Sequence, residues 1–119
     1  RRIWATKGVH ARLSILEKDI EKRLVREVKK LGGLCLKWVS PGNSGVPDRI
    51  VLMPGGKAIF VELKRPGGRE GALQRYWKVT LEALGFGCYT IYDYTEMQEL
   101  IDGLAKKKEV DAEWSKSTL

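Results

Sequence analysis

The run Ala58-Ile59-Phe60-Val61 constrains the fold most strongly. Four consecutive apolar residues in an extended segment need cover on both faces, which makes this a central strand. Pro54-Gly55-Gly56 immediately before it reads as a hairpin turn, so residues 49–53 form a second strand beside residues 57–64. A sheet covered on both faces needs flanking helices, and the chain supplies them. Ser14-Ile15-Leu16-Glu17 fits a capping box opening a helix that runs to about residue 31, with Gly32-Gly33 as its stop. Residues 34–39 read as a strand and 40–48 as a turn-rich loop. A glycine-rich loop over 65–71 precedes a helix over 73–84, a short strand over 88–92 and a last helix over 95–104. The order αβββαβα predicts an α/β fold, a mixed sheet flanked by helices.

With 119 residues the chain is expected to form one domain. Residues 1–13 read as a polar leader, 14–105 as the folded domain and 106–119 as a polar tail. No run approaches the roughly 18 apolar residues of a membrane span, and no signal peptide is evident. An intracellular protein is expected, with some residues missing before Arg1. Cys35 and Cys88 lie in apolar stretches and read as buried free thiols. His10 is the single histidine and lies in the leader, so zinc sites and histidine general bases lack candidates. The 22 Lys and Arg against 15 Asp and Glu give a net charge of +7, which points to a polyanionic partner.

Chemistry concentrates at the end of the central strand. In Val61-Glu62-Leu63-Lys64 the side chains alternate, so Glu62 and Lys64 share a face. Glu27-Val28-Lys29 has the same spacing, but on a helix its ends diverge by about 200°. Asp48 precedes the second strand, and the hairpin brings the start of that strand beside the end of the next. Asp48 is therefore expected close to Glu62 and Lys64. Two adjacent carboxylates repel unless one takes a proton or a cation sits between them. Oxygen ligands with open water positions suit Mg²⁺ or Mn²⁺.

A third carboxylate comes from the first helix. At about 100° per residue, Glu21 falls inside the apolar arc of Ile20, Leu24, Val25, Val28 and Leu31. A core-facing Glu is costly unless paired or near a cation. Glu17 falls in the same arc, but the capping box already gives it a structural role, so Glu21 is preferred for the site. Gln74 either caps the second long helix or contacts a phosphate or a metal's water. Arg65 and Arg69, in the loop after Lys64, and Lys78 are candidate DNA contacts. Lys22, Arg23, Arg26, Lys29 and Lys30 read as a solvated helix face, and Trp38, Tyr76 and Trp77 as core.

Gly45-Val46-Pro47-Asp48-Arg49, then Phe60-Val61-Glu62-Leu63-Lys64, then Gln74 at a helix start resemble the virus-type replication-repair nuclease (VRR-Nuc) domain. That domain belongs to the PD-(D/E)xK, restriction-endonuclease-like superfamily. The resemblance spans about residues 17–104 and implies an αβββαβ(α) core and Mg²⁺- or Mn²⁺-dependent endonuclease activity. It makes Asp48, Glu62 and the Leu63 backbone carbonyl metal ligands, Lys64 the residue orienting water, and Glu21 and Gln74 auxiliary, with Glu21 a further candidate ligand. It also implies a homodimer acting on branched DNA, of Holliday-junction or flap type, in replication, repair or recombination. A phage or prophage source follows as the expectation, in the cytoplasm of a bacterium or an infected host. The rival reading is a noncatalytic nucleic-acid-binding module, which accounts for the charge but not for the inward carboxylates. Dependence on a divalent ion separates the two.

Overall fold

The computed structural model describes the backbone of residues 2–118 and the side chains of residues 16–113. Its elements follow the expected order: α1 (Arg2–Lys30), β1 (Leu34–Lys37), β2 (Arg49–Met53), β3 (Lys57–Leu63), α2 (Ala72–Ala83), β4 (Gly87–Ile91) and α3 (Tyr94–Thr118). The four strands lie in the order β1-β2-β3-β4, with β1, β2 and β3 antiparallel and β4 parallel to β3. This is the mixed sheet that the sequence predicts, with β3 central.

Strand alternation divides the sheet between two cores. Val51, Val61, Leu63 and Ile91 pack against Ile20, Leu24 and Val28 of α1 and against Met97 and Ile101 of α3. On the opposite face Phe60 and Cys88 meet Leu81 of α2, with Trp38 and Ile50 beside them. Cys35 and Cys88 are both buried and free, as expected. At roughly 1.5–3 kcal/mol per fully buried large apolar side chain, burial in the first core fixes the α1–sheet–α3 layers. Gly32 stops α1: it adopts φ 84°, and the Gly33 N–H donates to the Val28 carbonyl at 3.0 Å, closing the helix end.

Two helix limits differ from expectation. α1 begins at Arg2 rather than at Ser14, and α3 runs to Thr118 rather than ending near residue 104. Ser14 therefore lies within a helix and opens none, although its side chain is outside the described residues. Residues 105–118 are rich in Lys, Glu and Ala and contain neither Gly nor Pro, so nothing local ends the helix. His10 also lies outside the described side chains. Among the described residues no helix is long and apolar enough to cross a membrane.

Candidate active site

Pairing between β2 and β3 ends at Arg49 opposite Val61. One step further, the side chain of Asp48 takes over: its Oδ2 accepts the Leu63 N–H at 3.0 Å, in place of a strand carbonyl. The Asp48 carbonyl accepts the Trp38 N–H at 2.9 Å, so this residue is held from both neighbouring strands. Beyond Leu63, β3 stays tied to β4 through the Lys64 N–H, which donates to the Ile91 carbonyl at 2.9 Å. The backbone at Asp48, Leu63 and Lys64 is thereby fixed where the hairpin opens.

Glu62 is 8% exposed, the one buried charged side chain among the described residues. Burial pushes its carboxyl up to about 8, and the hydrogen bond and repulsion from Asp48 push the same way against the opposing pull of Lys64. Near neutral pH the Glu62 carboxyl therefore favours its protonated form. These side chains open into a cleft of about 360 Å³, whose wall also includes Leu63, Arg65, Arg69 and Gln74. A larger hollow of about 400 Å³ lies between β4 and α3, where Glu96, Glu99 and Lys107 line it with mostly apolar neighbours. The smaller cleft is the chemical candidate, because opposed carboxylates, a lysine and two arginines converge there.

The proton at Glu62 has a stability consequence whose sign is fixed. Its folded value lies above the ordinary 4.5, so between about pH 4.5 and 8 the folded chain binds more protons than the unfolded chain. The stabilisation is complete below that window and is lost as pH rises through it. Glu62→Gln fixes the neutral form in both states. In EDTA the variant should gain on the parent as pH rises, by up to about 1.4 kcal/mol per pH unit, and level off above about pH 8. Thermal scans near pH 5, 7 and 9 test this. A variant that loses ground as pH rises would make Glu62 a satisfied partner of Lys64.

The third carboxylate in the cleft is Glu17, not the expected Glu21. Because α1 begins far upstream, Glu17 has no capping role to perform. Its carboxyl is raised, first by burial and then by Asp48, with Lys64 and Arg65 opposing and Glu21 adding. Glu21 lies one turn further along and pairs with Arg49, its Oε2 3.1 Å from the guanidinium Nε. The sequence rule that a core-facing Glu needs a partner was sound, but the partner is an arginine. Arg49 escaped the sequence reading, although it alternates with Val51 and Met53 onto the α1 face, which marks it as inward.

Gln74 keeps both of its expected options. Its Oε1 accepts the Gly71 N–H at 2.9 Å, capping α2, while the residue also lines the cleft. The loop before β2 is seated against this helix start: the Trp77 Nε1–H donates to the Ser44 carbonyl at 2.9 Å. A Cβ on Gly45 would lie 2.6 Å from the Leu73 Cβ, and its φ of 90° suits glycine alone. Of the candidate DNA contacts, Arg65 and Arg69 line the cleft. Lys78 does not. It lies in a small hollow behind Glu62, with Glu70 and Gln74.

Among the described residues no three His, Cys, Asp or Glu side chains form a metal cage. The donor set that the cleft does offer, two close carboxylates beside the Leu63 backbone, fits a hard cation that keeps most of its waters. The raised carboxyl of Glu62 is a sign of the same fit, since a cation would relieve the repulsion that a proton now relieves.

No protein-family model matches the sequence. Over 71 residues the chain is 54% identical to a protein of Acyrthosiphon pisum secondary endosymbiont phage 1 named "Putative nuclease p44", covering 60% of this chain and 76% of that protein. A solved structure described as a VRR_NUC domain matches with a TM-score of 0.69 at 26% identity, covering 72% of this chain and 94% of that one.

Proposed function

Because this chain belongs to the VRR-Nuc family of nuclease domains, we propose that it is a divalent-metal-dependent DNA endonuclease whose site is the cleft of Asp48, Glu62 and Lys64. The observation that carries the reading is the buried Glu62 carboxyl held against Asp48 at the open end of the β2–β3 hairpin. A buried carboxyl set against a second carboxyl beside a lysine costs the fold stability, and metal-assisted hydrolysis gives a reason to keep it.

Asp48, Glu62 and the Leu63 carbonyl would hold Mg²⁺ or Mn²⁺, with Glu17 as the further carboxylate in reach of the cleft. When bound, such an ion polarises a phosphate oxygen and acidifies water. Arg65 and Arg69 draw the phosphodiester into the cleft and set its orientation. Lys64 orients the attacking water and offsets the negative charge that grows on the phosphoryl oxygens in the transition state. To serve as a ligand Glu62 would have to give up its proton, so loading the cleft would release a proton to solvent.

The preferred substrate in this reading is branched DNA of the Holliday-junction or flap type, cut during replication, repair or recombination in a bacterial or infected cytoplasm. The working unit is a homodimer with two clefts. The net charge of +7 supports a nucleic-acid partner of this kind. A panel of linear, flapped, forked and four-way DNA incubated with Mg²⁺ tests the proposal, with a dimer expected in light scattering and branched DNA cut in preference to linear. Binding without cleavage under every divalent ion would instead make the chain a noncatalytic binding module. A monomer with no preference among the substrates would remove the paired-strand reading.

A further inference from the structure

We propose that the Glu21–Arg49 ion pair is a positioning element of the nuclease cleft, fixing Asp48 from the sheet side and Glu17 from the helix side. The inference rests on the nuclease reading above for its catalytic consequence, but not for its geometry. Glu21 and Arg49 are 25% and 14% exposed in their side chains, so the pair is largely out of water. Besides the 3.1 Å contact to Glu21, the guanidinium donates from Nη1 to the Cys35 carbonyl at 3.3 Å. One side chain thus joins α1, β2 and β1.

The position of the pair gives it this meaning. Arg49 is the chain neighbour of Asp48, and it opens the strand whose pairing ends there. Glu21 is four residues from Glu17, one helical turn along the same face of α1. Neither paired residue lines the cleft; each is directly coupled to one that does. Fold stability alone does not account for an ion pair here. Arg49 lies opposite the core residue Val61 and opens the strand that carries Val51, and a well-packed apolar pair in such a place is often neutral or stabilising. What a guanidinium fork adds over an apolar contact is direction: two bonds in one plane fix the rotation of α1 about its axis and its level against the sheet. Rotation decides whether Glu17 faces the cleft, and the level of β2 decides where Asp48 meets the Leu63 N–H.

The full chain and four variants test this: Glu21→Ala, Arg49→Met, their combination, and Arg49→Lys. Amide exchange without metal, followed by NMR, reads the Leu63 N–H that donates to Asp48, with Ile59 and Val51 as mid-sheet references. Cleavage kinetics read kcat and KM on a DNA that the parent cuts. In Glu21→Ala and Arg49→Met, Leu63 protection should fall by about tenfold while the reference amides keep theirs. The kcat should fall by about tenfold or more with KM changed less than about threefold. The double variant should do no worse than either single one, because the two residues act as a unit. Parental Leu63 exchange and kcat in folded variants would overturn the proposal. So would protection lost equally at Ile59 and Val51, or losses that multiply in the double variant. Should Arg49→Met fail to fold, Arg49→Lys decides by the same readouts, since it retains the charge but cannot make both bonds. If the parent cuts no DNA, the nuclease reading fails while the Leu63 exchange still decides the pair.

Discussion

Replacing Asp48, Glu62 or Lys64 with Ala should lower DNA cleavage by roughly 10²–10³-fold or more while leaving DNA binding within a fewfold of the parent. The separation follows from where affinity comes from. Binding to DNA is dominated by phosphate contacts from basic side chains, and the three replacements leave Arg65 and Arg69 in the cleft wall. In the proposed mechanism the three residues would contribute to charge stabilisation and water placement during the reaction, so their loss should fall on kcat. Glu62→Ala and Asp48→Ala also relieve the repulsion between the two carboxyls, and neither variant should unfold in EDTA. Single-turnover cleavage and anisotropy titrations on the same preparations measure the two effects. Full cleavage in any of the three variants would displace the site from this cleft.

Removing divalent ions should have an effect of the same size. In EDTA cleavage should fall by more than about 10²-fold, and Mg²⁺ or Mn²⁺ should restore it. Ca²⁺ should support binding with little cleavage, because its larger and looser coordination positions water poorly. The raised carboxyl of Glu62 adds a pH signature. If Glu62 is a ligand, cation entry would compete with a proton below about pH 8, so the half-saturating Mg²⁺ concentration should fall as pH rises toward that value and then level off. Retained cleavage in EDTA would rule out the mechanism, and a half-saturating concentration independent of pH would remove Glu62 from the cation's ligands.

The central elements of this chain were legible because each carried redundant signals. β3 combined a two-faced apolar run, a Pro-Gly-Gly turn before it and a charged pair at its end, and Asp48 was placed by hairpin register alone. The structure sets Glu17 rather than Glu21 in the cleft wall, for a physical reason. Glu17 and Glu21 differ by only about 40° around α1, so periodicity cannot separate them. The choice fell to the capping box Ser14-Ile15-Leu16-Glu17, whose residues fit a helix start equally well as a helix interior. Only the backbone course from Arg2 decides between these, and with it which of the two glutamates overlies the cleft. β1 ends two residues before its apolar pattern does, and Trp38 donates its N–H to the Asp48 carbonyl outside the regular ladder.

The unequal size of the two cores has a dynamic consequence for the cleft. Among the described residues ten buried side chains bind α1 and α3 to one face of the sheet, whereas three form the buried cluster under α2. Leu81 is the one buried residue that α2 itself contributes, and Leu73, Tyr76 and Val79 are more than half exposed. Opening free energies follow buried apolar contact, so α2 is expected to be the layer that detaches first in partial unfolding. One wall of the cleft, with Glu17, Asp48 and Leu63, belongs to the layers joined by the larger core. The opposite wall, where Gln74 stands at the start of α2, belongs to a layer that can shift or lift to admit a bulky polymer without disturbing the carboxylates across from it.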